Sequence, residues 1–152
     1  MKANKIIPML LLLVLCACNK FKMYDGPSFF YFDMNQSGST SINELGSLTS
    51  EYYVHYTGEQ ASETRTVVFS VTPGSGLQEG VDYQMVTTGT SLSFLPGITD
   101  LPIRVKWLPH ALTSAEGNTL TVSLESVNDP KLKLGLPPSG RNRSVSIQKY
   151  KN

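Results

Sequence analysis

Apolar and polar residues alternate one for one through much of this chain, and that rhythm points to strands. Over 101–107 (LPIRVKW), Leu101, Ile103, Val105 and Trp107 fall on one side, with Pro102, Arg104 and Lys106 on the other. Residues 119–125 repeat the pattern with Leu120, Val122 and Leu124, and 64–71 with Val67, Phe69 and Val71. Successive side chains of a strand point to opposite faces, so each segment offers one face to a core and one to water. Shorter runs at 29–32, 51–56, 91–94 and 144–148 complete the set, separated by turn residues such as Thr57-Gly58, Pro73-Gly74 and Pro96-Gly97. From Cys18 onward no apolar period of helical length lasts three turns. About seven strands without intervening helices predict an all-β chain folded as a single antiparallel β-sandwich. Residues 34–50 and 137–140 read as loops. Pro102 has no N–H to donate, so its outward position predicts an edge strand or a bulge.

The first residues obey a different logic. Lys2 and Lys5 give a basic head, and 6–15 (IIPMLLLLVL) is an uncharged apolar run. That is the form of a secretory signal; the run is too short to span a bilayer, which takes roughly 20 residues of helix. Leu15-Cys16-Ala17-Cys18 then resembles the bacterial lipobox, in which the final cysteine is acylated and becomes the mature N-terminus. Cys18 fits, with Leu15 at −3 and Ala17 at −1, whereas Cys16 would put bulky Leu15 at −1. The expected organisation is a signal peptide at 1–17, an acylated terminus and tether at 18–27, and a sandwich domain at 28–152. With Cys16 removed and Cys18 consumed by lipid, no thiol is left for a disulfide or a metal pair. Two or three acyl chains, at about 0.8 kcal/mol per buried methylene, hold a protein on a membrane durably.

Loss of Lys2 and Lys5 leaves eleven Lys and Arg against twelve Asp and Glu, a net charge near −1. Nucleic acid calls for a clustered basic face, so it is excluded as a partner. The basic ends (Lys20, Lys22, Arg141, Arg143, Lys149, Lys151) read as solvated flanks.

Gly80-Val81-Asp82-Tyr83 is the most individual internal stretch. Gly80 can take positive φ, Asp82 can bond backbone N–H groups in a turn, and Tyr83 can bury its ring while its hydroxyl finds a carbonyl. Together these make a structural corner. The order G-x-D-Y, then F-x-P-G over 94–97, then the strand at 101–107, then Thr121-Val122-Ser123-Leu124, resembles the Calx-β sandwich domain. With the lipobox and the opening 24–32 (YDGPSFFYF), the chain resembles a family of short Bacteroidetes-type lipoproteins of unknown function, often encoded beside SusC/SusD-like importers. That resemblance implies a cell-envelope protein, anchored in the outer membrane on its periplasmic face or at the cell surface. Regulatory Calx-β domains bind calcium with clustered carboxylates; 109–116 (PHALTSAE) supplies one where that kind has several, so neither a metal site nor a cofactor is expected.

Residues suited to catalysis are scattered. His55 and His110 lack partners at metal-site spacing, and Pro73-Gly74-Ser75-Gly76 lacks the spacing of a nucleophile elbow. No enzyme is expected. Aromatic residues are the better lead, since rings offer apolar surface with a polar edge. Tyr53 shares the outward face of its strand with His55, and both are candidate ligand contacts. Trp107 is the third candidate, although its neighbours Leu101, Ile103 and Val105 favour burial. The expectation is a non-catalytic envelope accessory that binds a glycan or an importer partner; the alternative is a structural or adhesive sandwich that holds protein neighbours.

Overall fold

A computed structural model describes residues 26–151. The expected signal peptide, Cys16 and the expected acylation site Cys18 lie outside the described residues. Within them, ten strands follow in chain order: β1 (Phe29–Phe32), β2 (Ser41–Asn43), β3 (Leu48–Thr57), β4 (Arg65–Pro73), β5 (Tyr83–Met85), β6 (Ser91–Phe94), β7 (Asp100–Trp107), β8 (Thr119–Val127), β9 (Lys133–Leu134) and β10 (Ser144–Tyr150). They form two five-stranded sheets, ordered β5-β7-β3-β1-β9 and β2-β10-β8-β4-β6. The chain is an all-β sandwich, as the alternation predicts.

Seven strands match the periodic segments; β2, β5 and β9 are additions of two or three residues each. β2 lies inside the stretch expected to be one loop. The sandwich is not wholly antiparallel either. β9 runs parallel to β1, and β2 parallel to β10, each at a sheet edge. Both are short strands reached through long connections, which is what parallel pairing requires.

The core lies between the sheets. Tyr52, Val54, Tyr56, Ile103, Val105 and Trp107 face Phe69, Leu120, Val122, Leu124 and Ile147, all buried. Phe30 couples the two layers, its ring 5.0 Å from Tyr56 and 4.9 Å from Phe94. Each fully buried apolar side chain of this size contributes about 1.5–3 kcal/mol.

Pro102 illustrates how local an edge can be. β7 is flanked by β3 along its length, but β5 reaches only from Trp107 to Val105. At Pro102 the other side of β7 is open, so no ladder bond is lost there.

The strand directions sort the loops onto two ends. One end gathers the start of β1, the β3–β4 connection, the β6–β7 turn and the β8–β9 connection; here the chain enters from Gly26. The opposite end gathers the loops after β2, β4 and β7 and the end of β10.

Candidate functional site

On β3, the residues between the buried ones face outward: Glu51, Tyr53 and His55. Register brings partners beside them. Tyr31 on β1 lies opposite His55, and on β7 Asp100 lies opposite His55, Pro102 opposite Tyr53, and Arg104 opposite Glu51. The Tyr31 ring meets the His55 ring edge-on at 5.2 Å, and the Phe29 ring lies tilted against Tyr31 at 5.6 Å. His55 Nδ1 is hydrogen-bonded to the Asp100 carboxylate, whose second oxygen accepts from Thr99 Oγ1 at 2.7 Å. Further along, the Tyr53 hydroxyl donates to Glu51 Oε2 at 2.7 Å, and Arg104 Nε donates to Oε1 at 2.7 Å. The outer face therefore carries a row of rings joined to two pinned carboxylates.

Electrostatics fit this geometry. The hydrogen bonds from Arg104 and then Tyr53 hold the Glu51 carboxyl below its ordinary range. The negative charge of Glu51, accepting its proton, pushes the Tyr53 phenol up. Asp100 fixes the His55 ring through Nδ1 and leaves Nε2 without a protein partner among the described residues. No hydroxyl is bonded to that nitrogen, so the pair lacks the nucleophile of a Ser-His-Asp triad. What the surface can do chemically is present flat apolar ring faces beside hydrogen-bonding groups of both kinds.

Of the three candidate ligand contacts, the structure brings two together. Tyr53 and His55 share this half-buried outer face. Trp107 does not belong with them: it is fully buried on the inner face, 6.3 Å from the Tyr83 ring, because its place in the alternation is that of Ile103 and Val105. Tyr31, Asp100 and Arg104 complete the patch and were missed. Only the strand register places them there, and register is not written in any one segment.

The corner at 80–83 forms as expected in part. Gly80 adopts φ 82°, and its N–H donates to the Tyr83 carbonyl at 2.7 Å. Asp82 Oδ2 accepts the Gln78 N–H at 2.9 Å. Tyr83 is 2% exposed, and burial pushes its phenol up; the expected hydroxyl–carbonyl bond is absent among the described residues.

Asp82 does more than cap a turn. Its Oδ1 accepts from Lys149 Nζ at 2.9 Å and faces His110 Nδ1 at 3.0 Å. Lys149 also donates to the Leu108 carbonyl at 3.0 Å and is 0% exposed. The reading of Lys149 as a solvated flank is therefore wrong. It lies on the inward side of β10, in phase with Val145 and Ile147, and that phase was the available signal. Burial alone would push the Asp82 carboxyl up, but Lys149, the Gln78 N–H and His110 outweigh it and hold the carboxyl below its ordinary range.

Both Asp82 oxygens are occupied, and Glu79 Oε1 lies 3.5 Å from the Met85 nitrogen. No group of three or more His, Cys, Asp and Glu converges among the described residues.

Two open clefts lie at the end where the described chain begins. One, of about 300 Å³, is polar and lies between the β3–β4 connection at Glu63 and Arg65 and the segment Asn128–Pro130. The other, of about 240 Å³, is more apolar and lies between Tyr56, Ala61 and Ile98.

No family model matches the sequence, and no curated protein does. Among solved structures, the crystal structure of CBD12 from CALX1.2, a Calx-β domain, superposes with a TM-score of 0.58 at 19% identity, covering 81% of this chain. This chain spans 45% of the length of that one. The likeness is one of fold: the chain is a Calx-β-like sandwich.

Proposed function

We propose that this protein is a non-catalytic, lipid-anchored envelope component that binds a glycan or a protein partner of an outer-membrane nutrient uptake system through the outer face of its β5-β7-β3-β1-β9 sheet. The observation that carries the binding surface is the row Tyr31–His55–Asp100 beside Tyr53–Glu51–Arg104, where rings and fixed polar groups share one solvent-facing side. Aromatic residues and Arg are the types that dominate recognition surfaces. The lipobox around Cys18 supports the anchor, and the resemblance to importer-associated lipoproteins supports the setting. The test is a glycan array read with the wild-type protein and with Tyr53→Ala and His55→Ala. Binding by the wild type that both substitutions abolish is the expected result; binding that survives both removes the patch from the proposal.

A second reading, a structural sandwich that holds protein neighbours, has one observation in its favour. Glu51 and Asp100 spend both their oxygens on partners within the chain, which leaves a small ligand few free acceptors. Co-purification with an importer from intact envelopes, without any glycan bound on the array, would select that reading.

A further inference from the structure

We infer that the end of the sandwich receiving the N-terminal tether rests against the membrane, with the β6–β7 turn pressing Leu95 and Ile98 into the lipid headgroup layer. The inference rests on the Cys18 anchor proposed above and adds an orientation to it.

Attachment comes first. At this end the Ser28 carbonyl accepts the Lys133 N–H at 3.1 Å, and Ser28 Oγ accepts the Glu59 N–H at 3.4 Å. The chain is thereby fixed to the sandwich where β1 begins. Eight residues of chain connect Cys18 to Gly26, and at about 3.3–3.6 Å each they reach at most about 29 Å. The ten residues of β3, at about 3.3–3.4 Å each, run about 33 Å from one end of the sandwich to the other. A tether shorter than the body it holds cannot let the body turn end over end, so the opposite end never becomes the one seated on the bilayer.

That end is shaped for the contact. Leu95-Pro96-Gly97-Ile98 forms a turn in which the Ile98 N–H donates to the Leu95 carbonyl at 3.0 Å and Gly97 adopts φ 87°. Pro at the second position and a positive-φ glycine at the third make it a type II turn. Its first and last residues are both exposed, Leu95 58% and Ile98 44%. Residues 91–99 carry no charge, so seating them at the interface strips no ion of water, which would be costly. The apolar cleft lies directly beside Ile98. Arg65, Lys131 and Lys133 at this end stand against Glu59, Glu63, Asp100 and Asp129, so no net positive charge draws it to an anionic surface, and an apolar contact should be insensitive to salt.

The acylated protein, purified from envelopes and reconstituted into phosphatidylethanolamine–phosphatidylglycerol vesicles, tests this. Ile98→Cys and, at the opposite end, Leu45→Cys (63% exposed in the wild type) each introduce a free thiol for an environment-sensitive fluorophore. The expected result is blue-shifted emission and several-fold slower iodide quenching at position 98 than at position 45, unchanged by added salt. Equal quenching at the two positions overturns the inference. Shielding at position 98 that persists in detergent-free solution without vesicles also overturns it, because the occupant is then the tether itself, with Phe21, Met23 and Tyr24. Flotation with the vesicles and fatty-acid labelling report the anchor separately. The same variants begun at Asn19, with an N-terminal His-tag held on nickel-chelating vesicles, read the orientation whether or not Cys18 is acylated.

Discussion

The two ends of this sandwich are closed by different physics. At the end away from Gly26, a buried carboxylate, a buried ammonium and a histidine knit the loop after β4, the loop after β7 and the last strand into one unit. At the end where the described chain begins, the carboxylate–histidine pair, His55 with Asp100, lies half-exposed on the outer face and holds no buried ammonium; the loops close over two open clefts, and one turn holds its apolar side chains in solvent. The contrast separates two roles a loop cluster can have. A buried charge pair is unforgiving, because removing either partner strands the other in a low dielectric, so the loops it joins are fixed. An exposed turn that contributes little to the fold is free to serve an outside contact.

The sharpest way to break that contrast is Lys149→Ala. It leaves Asp82 buried with only His110 and one backbone N–H as partners, and a loss of about 3–5 kcal/mol is expected in urea unfolding. The matched change at the other end, Ile98→Ala, should stay within about 0.5 kcal/mol, as exposed substitutions do. Equal effects would mean that the two ends are held alike.

Acid unfolding sharpens the same point. The Asp82 carboxyl is held below its ordinary range when folded, so it contributes stability that is fully present above the unfolded value, about 3.9. That contribution disappears as pH falls through the lower folded value. The stability advantage of wild type over Asp82→Asn should therefore be greatest near neutral pH and shrink as pH drops below about 4. A difference that stays constant across that range would show that the pair is not what Asp82 contributes.

These two tests bear on residues that the sequence hid unequally. Seven strands were legible because each carries its own alternation, as 101–107 does within a single segment. β2, β5 and β9 were not, since two or three residues cannot display a period. Lys149 was legible in principle through its phase with Val145 and Ile147, yet nothing near it names a partner; Asp82 is 67 positions away. The outer patch shows the same limit. Tyr53 and His55 sit two apart on one strand and were found together, whereas Tyr31, Asp100 and Arg104 join them only through register. Trp107 was legible as an aromatic strand residue, and its face was legible too, which is why its burial follows the pattern and its candidacy does not.

On the outer face, the ion pair is a surface feature and should behave as one. Glu51 and Arg104 side chains are 37% and 48% exposed, so Arg104→Ala should change stability little, as for other solvent-screened surface pairs. It should raise the Tyr53 phenol only slightly, because the Glu51 hydrogen bond is the main cause of that shift and the Arg104 charge opposes it weakly. A loss near that of Lys149→Ala would place the row among the fold's supports instead of on a free surface.

The smallest expected effect is that of calcium, and it bears on the end closed by Asp82. Calcium takes six to eight oxygens, and a site there would have to recruit Asp82, whose Oδ1 is already held by an ammonium and whose Oδ2 accepts a backbone N–H. Binding would mean displacing Lys149 from a position where it has no water to return to. A ligand that binds only the folded state, present at about 100 times its dissociation constant, would add about 2.7 kcal/mol and raise the melting midpoint by several degrees. No shift is expected between millimolar calcium and chelator. A reproducible rise that Asp82→Ala removes would mean that the buried pair opens to admit a cation, and the end described as fixed would be the responsive one.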